Sequence, residues 1–294
     1  MINIWCYWSQ GVDNIPHFHR QCLKNWNNKI SNEYKINVFD KNKFLNMQNE
    51  ISESFFNYFT YQQQSDIVRL YLLYEYGGIW IDITIIFNTN LNWVIDKYNY
   101  GYDQVGFYIN FPLTFDKSNN VLESWFIAVK NSHDYKILKW KETFYRILRE
   151  AKQNGGIKFS KTWQNTNKSS IPSVNQEYLS IHVAQLWCIQ HDNKYKNLYN
   201  NNIYLYNAKD TAIINPIIHP LSLIFGVGYR SNFNIIKFTS FDMKILKYLC
   251  SHRLKNIIKK ELDIDYVACK AQKLFFLIIL FITLSILIYR RKYN

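Results

Sequence analysis

Hydrophobic positions along the first ninety residues alternate between two periods. Asn3 to Tyr7 is a short apolar run that predicts a strand, and Pro16 stands where a helix would begin. Phe18, Cys22 and Trp26 then recur every fourth residue, along one face of that helix. Tyr34 to Phe39 (YKINVF) alternates with period two, and Asp40 follows its end. A longer helix is predicted from about Gln62 to Tyr76, with Ile67, Leu70, Tyr71 and Tyr74 as its stripe and Gly77-Gly78 as its stop. Ile79 to Phe87 is the strongest strand signal in the chain. Strand and helix in alternation argue an α/β fold with a mostly parallel sheet.

Further helices are expected over 121–131, 134–153 and 176–190. The polar stretch Asn154 to Gln176 reads as a lid, an acceptor-binding loop or an ordinary surface excursion. No repeat or linker divides residues 1–240, which are expected to form one domain. Lys244 to Lys260 carries Lys244, Lys247, Arg253, Lys255, Lys259 and Lys260 with no acidic residue, interleaved with Ile245, Leu246, Leu249, Leu254, Ile257 and Ile258. Such a segment suits anionic lipid headgroups. Leu274 to Tyr289 is uncharged and meets Arg290, Arg291 and Lys292. Counted from Ala271, with Lys273 snorkelling, it approaches the roughly 20 residues of a membrane span. The expected order is therefore a basic amphipathic juxtamembrane segment over 241–270, a membrane-anchoring helix over 271–289 and a basic tail over 290–294. The N-terminus lacks the pattern of a signal peptide, so the main domain is expected to face the cytosol.

Composition narrows the choice of partners. Hydrophobic residues make up 48%, enough for a large core and too many for a disordered chain. Thirty-five Lys and Arg against 22 Asp and Glu give a formal charge of +13, which favours anionic partners: nucleic acid, acidic membranes or phosphorylated small molecules. Part of that excess, with the abundance of Asn, Ile and Tyr, fits an AT-rich genome. No nucleic-acid-binding motif is present, so a nucleic-acid partner rests on charge alone and is not expected. The five scattered cysteines form no CxxC, which argues against a disulfide or zinc framework and for a reducing compartment. No P-loop, GxGxxG or Ser-His-Asp order stands out.

Candidate chemistry concentrates in QQQSDIVRLYLLYEYGGIWIDITIIF, residues 62–87. In a continuous strand, Ile79, Ile81, Ile83 and Ile85 face one way and Trp80, Asp82, Thr84 and Ile86 the other. A carboxylate amid so apolar a strand costs several kcal/mol if buried unpaired, so Asp82 must meet a cation, a hydroxyl-rich ligand or a metal. Asp66 and Arg69 are three apart and share a helix face. In isolation that spacing describes a surface ion pair worth about 0.2–0.5 kcal/mol. With a double-glycine reversal between helix and strand, all three residues converge at one end of the sheet, where open α/β folds place ligands.

The constellation Ser65-Asp66-x-x-Arg69 followed by Gly77-Gly78-x-Trp80-x-Asp82-x-Thr84 resembles the sugar-nucleotide region of GT-A-fold glycosyltransferases. The similar families are the DXD-type sugar-binding transferases, the clostridial glucosylating toxins and, nearest in form, the capsular polysaccharide synthesis proteins. The opening IWCYWSQG, YKINVFD at 34–40 and SWFIAVKN at 124–131 agree in order; the likeness covers roughly residues 1–190 and not the tail. It implies a GT-A-like fold and transfer of a sugar, with retention, from a UDP- or GDP-sugar to a surface polysaccharide, glycolipid or glycan precursor. It implies that Trp8 stacks on the nucleobase, and that Asp66 and Arg69 bind hydroxyls of the sugar, with Arg69 also near the diphosphate. Trp80 would pack beside the donor, and Asp82 would hold ribose or sugar and orient a metal. In these families the last acid of the DXD motif ligates Mn²⁺ or Mg²⁺; here that position is Thr84, a weaker ligand. Metal use is thus open, and so is an alternative reading as a membrane-anchored pseudoenzyme that binds nucleotide sugar without turnover. Two histidines are further candidate ligands. His182 shares a helix face with Leu179, Val183 and Leu186, where a satisfied core histidine is the commoner case, and His219 lies between prolines in IINPIIHPLSL.

Overall fold

The computed structural model describes residues 1–109, 120–172, 176–214 and 234–238. The chain divides into two compact units, Met1–Asp210 and Thr211–Asn294. His219, the basic segment over 241–270, the apolar stretch over 271–289 and the tail all lie outside the described residues. Among the described residues, no helix is long and apolar enough to cross a membrane.

The first unit is built on strands β1 (Ile2–Tyr7), β2 (Tyr34–Phe39), β3 (Gly78–Ile81), β4 (Ile85–Phe87), β5 (Gln104–Tyr108), β6 (Phe126–Val129) and β7 (Ile203–Asn207). Six of them form one sheet in the order β2-β1-β3-β6-β5-β7. Strand β1 runs parallel to both neighbours, with Trp5 opposite Asn37 on one side and Trp80 on the other. Only β6 is antiparallel, pairing with β3 and β5, and β5 runs parallel to β7. This is the mixed α/β sheet, mostly parallel, that the alternation of periods led one to expect. In the second unit, β8 (Ala212–Ile214) and β9 (Ile235–Lys237) pair in parallel.

The helices that place the site are α1 (His17–Lys29), α4 (Tyr61–Tyr76), α6 (Tyr135–Asn154) and α8 (Ser180–His191); α2 (Lys41–Met47), α3 (Glu53–Phe56), α5 (Asn92–Asn99), α7 (Lys161–Gln164) and α9 (Asn193–Asn202) also belong to the unit. Helix α4 starts at a capping box: Thr60 Oγ1 accepts from Gln63 N at 3.3 Å, and Gln63 Oε1 accepts from Thr60 N at 3.1 Å. Ile67, Val68, Leu70, Leu72 and Leu73 are all fully buried, so α4 is covered on nearly every side. Each such side chain contributes about 1.5–3 kcal/mol.

The α4–β3 reversal needs glycine for two reasons. Gly77 and Gly78 have φ of +62° and +87°, which L side chains rarely adopt. A Cβ on Gly78 would also stand 2.4 Å from the carbonyl oxygen of Asn3 in β1. Trp5 Nε1 donates to the Gly77 carbonyl at 2.7 Å, tying the turn to the sheet.

Two expectations are corrected, and the readings left open for a third segment are narrowed. The strand over 79–87 is not continuous: it stops at Ile81, and Ile85 N donates to Asp82 O at 3.1 Å, closing a turn through Ile83 and Thr84. Beyond the turn, α1 takes over the backbone of β4. Trp26 Nε1 donates to Ile85 O at 2.7 Å, while the Asn25 side chain accepts from Phe87 N at 2.7 Å and donates to its carbonyl at 3.2 Å. The helix expected over 121–131 is instead strand β6, since a short apolar run carries no period that separates the two and the slot between β3 and β5 decides. The polar stretch after α6 is no open lid where it is described. The Glu150 carboxylate accepts from Ser160 Oγ at 2.7 Å and from Thr162 N and Oγ1 at 2.9 Å, and Ile157, Thr166 and Ile171 are buried.

Candidate active site

Helix α4 and strand β3 are consecutive and antiparallel, so the first turns of α4 lie at the C-terminal end of β3. Asp66 and Arg69 are one turn apart on α4, and Asp82 is the first residue beyond β3. Arg69 Nη1 donates to Asp66 Oδ1, and Nη2 donates to Asp82 Oδ1 at 3.0 Å. Trp80 Nε1 donates to the same Asp82 oxygen at 3.1 Å, and the guanidinium lies over the Trp80 ring, 4.8 Å from its centre. The Asp66 and Arg69 side chains are 2% and 4% exposed, whereas Asp82 is 28% exposed. The cluster thus runs from a sealed ion pair to a carboxylate at the rim.

Its electrostatics follow from that gradient. Burial raises the Asp66 carboxyl above the usual carboxylate range and Asp82 adds to the rise, while Arg69 opposes it. Asp66 Oδ2 and Arg69 Nε have no hydrogen-bond partner. The cluster's formal charge is negative, one guanidinium between two carboxylates, so an anionic diphosphate would need added counter-charge here. The field reaches other groups. Burial and Asp82 raise the Cys6 thiol, and burial followed by Asp82 and Asp66 raises the Tyr178 hydroxyl.

The structure brings Asp66, Arg69, Trp80 and Asp82 into direct contact, as the motif spacing suggested. The bend at Asp82 changes the reason: the carboxylate is not stranded in an apolar strand but leaves it at the sheet's end. Trp8 is the first residue beyond β1, at the same end of the sheet, since extending the Trp5–Trp80 register sets Tyr7 level with Asp82. Trp8 is half-buried, its ring 4.8 Å from that of His19, and its Nε1 lacks a hydrogen-bond partner. Thr84 is half-buried within the turn. His182 lies within the field of Arg69 and Asp82 but is not a satisfied core histidine, for both ring nitrogens are unpartnered.

Three neighbours carry no local sequence signal of their own. Gln64, two residues before Asp66, accepts from Tyr7 Oη at 3.3 Å and Ser9 Oγ at 3.4 Å, and donates to the Phe59 carbonyl at 3.0 Å. It locks the end of β1 to α4. Tyr178 feels the charges of Asp82 and Asp66, and Glu123 lies 3.9 Å from His182; both come from distant parts of the chain, and nothing short of the tertiary fold marks them.

Among the described residues, no three His, Cys, Asp or Glu side chains gather as a metal cage. The turn offers one carboxylate, Asp82, and one hydroxyl, Thr84. That donor set fits a hard cation of the Mg²⁺ type, which takes one or two carboxylates and completes its shell with water and phosphate oxygens.

The chain is 28% identical over 161 residues to an O-glycosyltransferase, braB, of Annulohypoxylon truncatum, covering 49% of this chain and 37% of that protein. It is 26% identical over 103 residues to a glycosyltransferase, afumC, of Aspergillus fumigatus, covering 31% of this chain and 26% of that protein. The matches thus span well under half of these relatives' length. The solved PaToxG glycosyltransferase superposes over 67% of this chain and 74% of its own, at 18% identity and a TM-score of 0.38. The family model described as capsular polysaccharide synthesis protein matches residues 1–215, which include the whole of the cluster and the sheet that carries it. The chain belongs to the capsular polysaccharide synthesis protein family.

Proposed function

We propose that this protein transfers a sugar from a UDP- or GDP-sugar to a surface polysaccharide, glycolipid or glycan precursor, with retention at the anomeric carbon. The observation that carries the proposal is the Asp66–Arg69–Asp82–Trp80 cluster at the C-terminal end of the sheet. Family membership and glycosyltransferase relatives support it.

Carboxylates accept from sugar hydroxyls and the guanidinium donates to them, so Asp66 and Arg69 suit a polyhydroxylated ring. Their mutual contact holds both side chains in place before the ligand arrives, which lowers the ordering cost of binding. Asp82, at the rim, is positioned by Arg69 and Trp80 through one oxygen and meets the donor first. Trp8, at the end of β1, supplies an aromatic face for the base. A divalent cation held by Asp82 and Thr84 would offset the diphosphate charge as the nucleotide leaves. The basic segment over 241–270 and the apolar stretch over 271–289 would hold the domain at a membrane, facing the cytosol where nucleotide sugars are made.

The test is a donor screen on the full chain, following release of UDP or GDP from a panel of nucleotide sugars with Mn²⁺, Mg²⁺ or EDTA. One nucleotide should be released, and Asp82→Asn should abolish it. Neither release nor thermal stabilisation by any nucleotide sugar would overturn the donor-site assignment.

A further inference from the structure

Helix α8 carries one histidine that nothing in the protein satisfies. Both ring nitrogens of His182 are shielded from water and lack hydrogen-bond partners, and the side chain is 9% exposed. The Glu123 carboxylate lies beside it, with Oε2 3.9 Å from Nε2, beyond hydrogen-bond reach. Around it Ile181, Val183, Ala184 and Leu186 are buried, so an apolar residue would pack there at no polar cost. An unpaired buried polar group costs about 1–3 kcal/mol. That cost is offset only when a partner arrives.

The ring is also placed for a ligand. It feels the charges of both Arg69 and Asp82. Tyr178, on the turn leading into α8, feels Asp82, Asp66 and Glu123, and is 57% exposed. His182 and its neighbour Glu123, with Tyr178 one turn before, therefore lie within the electrostatic reach of the α4–β3 cluster, Tyr178 exposed and His182 sealed behind it.

We infer that His182 is a hydrogen-bonding ligand of the sugar carried by the nucleotide donor, with Glu123 beside it to accept from the same or a neighbouring hydroxyl. This rests on the donor-site reading above and names the part of the donor that α8 contacts. A neutral imidazole offers one donor and one acceptor, which matches a hydroxyl group. Phosphate oxygens only accept and favour a cation, and His182 is held neutral: burial, then Arg69, lower its pKa to about 3.

The experiment is calorimetric binding to the full chain of UDP and GDP, and of UDP-glucose, UDP-galactose and GDP-mannose, for wild type, His182→Leu and His182→Gln. For whichever nucleotide sugar binds, His182→Leu should weaken binding about tenfold, the loss expected for one hydrogen bond worth about 1.4 kcal/mol. Affinity for the free nucleoside diphosphate should stay within about twofold, and His182→Gln should recover most of the loss. Thermal unfolding supplies the second readout: removal of an orphaned polar group should leave the Tm of His182→Leu unchanged or raised. Equal weakening of nucleotide and nucleotide sugar, or a lowered Tm with unaltered affinity, would overturn the assignment and leave His182 a structural residue. If wild type binds the nucleoside diphosphate but none of its sugar forms, this inference alone fails. If it binds neither, the donor site itself fails.

Discussion

Arg69→Met is the most informative single substitution in the cluster. Met keeps the length and apolar stem of Arg and removes the guanidinium. Asp66, 2% exposed and in direct contact with that group, is left as a buried carboxylate with no cation, and Asp82 loses a donor at 3.0 Å. Removing one partner of a buried ion pair costs about 3–5 kcal/mol, a large share of a domain's stability. The loss should depend on pH in a definite direction. Burial already raises the Asp66 carboxyl, and Arg69 is the main influence opposing it; without Arg69 the folded-state pKa climbs further. Such a group takes up a proton on folding, so its contribution is fully present below the unfolded value of about 3.9 and is lost as pH rises through the folded pKa, at up to about 1.4 kcal/mol per pH unit. Wild-type Asp66, raised to about 7, loses its own contribution up to that pH, so urea unfolding of Arg69→Met at pH 5 and pH 8 should show a larger deficit at pH 8, by about 1 kcal/mol. Adding Asp66→Asn should remove most of that pH dependence. A deficit below about 1 kcal/mol, or one equal at both pH values, would refute the picture of Asp66 as a sealed carboxylate held by Arg69.

Three further outcomes are expected. Gly78→Ala should cost about 2 kcal/mol or more, since it imposes a positive φ on an L residue and sets a Cβ 2.4 Å from the Asn3 carbonyl; urea unfolding measures it, and a cost under about 0.5 kcal/mol would contradict the geometry. Trp8→Ala should weaken binding of the nucleoside diphosphate by about 1–3 kcal/mol, read by calorimetry, while Trp8→Phe should keep most of the affinity because stacking needs only a π-face. Thr84→Asp adds a second carboxylate to the Asp82 turn, so Mn²⁺ or Mg²⁺ should raise its Tm more than that of wild type; equal shifts would place the cation elsewhere.

Much of the site was legible because its first half is local. Asp66 and Arg69 meet through helical spacing alone, and the apolar stripe with Gly77-Gly78 marks where the helix ends and the chain turns back. Asp82 was legible as a residue but not as a geometry. Alternation predicted a strand through Phe87, and only the hydrogen bonds of Asn25 and Trp26 in α1 to the β4 backbone show why the chain bends at 82–85. Strand β6 was misread as helix because four apolar residues fit either element until the gap between β3 and β5 is known.

Periodicity, glycine stops and i, i+3 spacing act over a few residues, and by themselves they determined the α/β class, helix α4, its reversal into β3 and the pairing of Asp66 with Arg69. Convergence across long stretches of chain belonged to the tertiary structure. Glu123, Tyr178 and His182 lie about 40 to 100 residues beyond the α4–β3 segment, and their relation to it is set by how α8 packs on α6 and how β6 enters the sheet. Whether a buried histidine is satisfied depends on which acceptors its ring meets across that packing, and that is a property of contacts rather than of residue order.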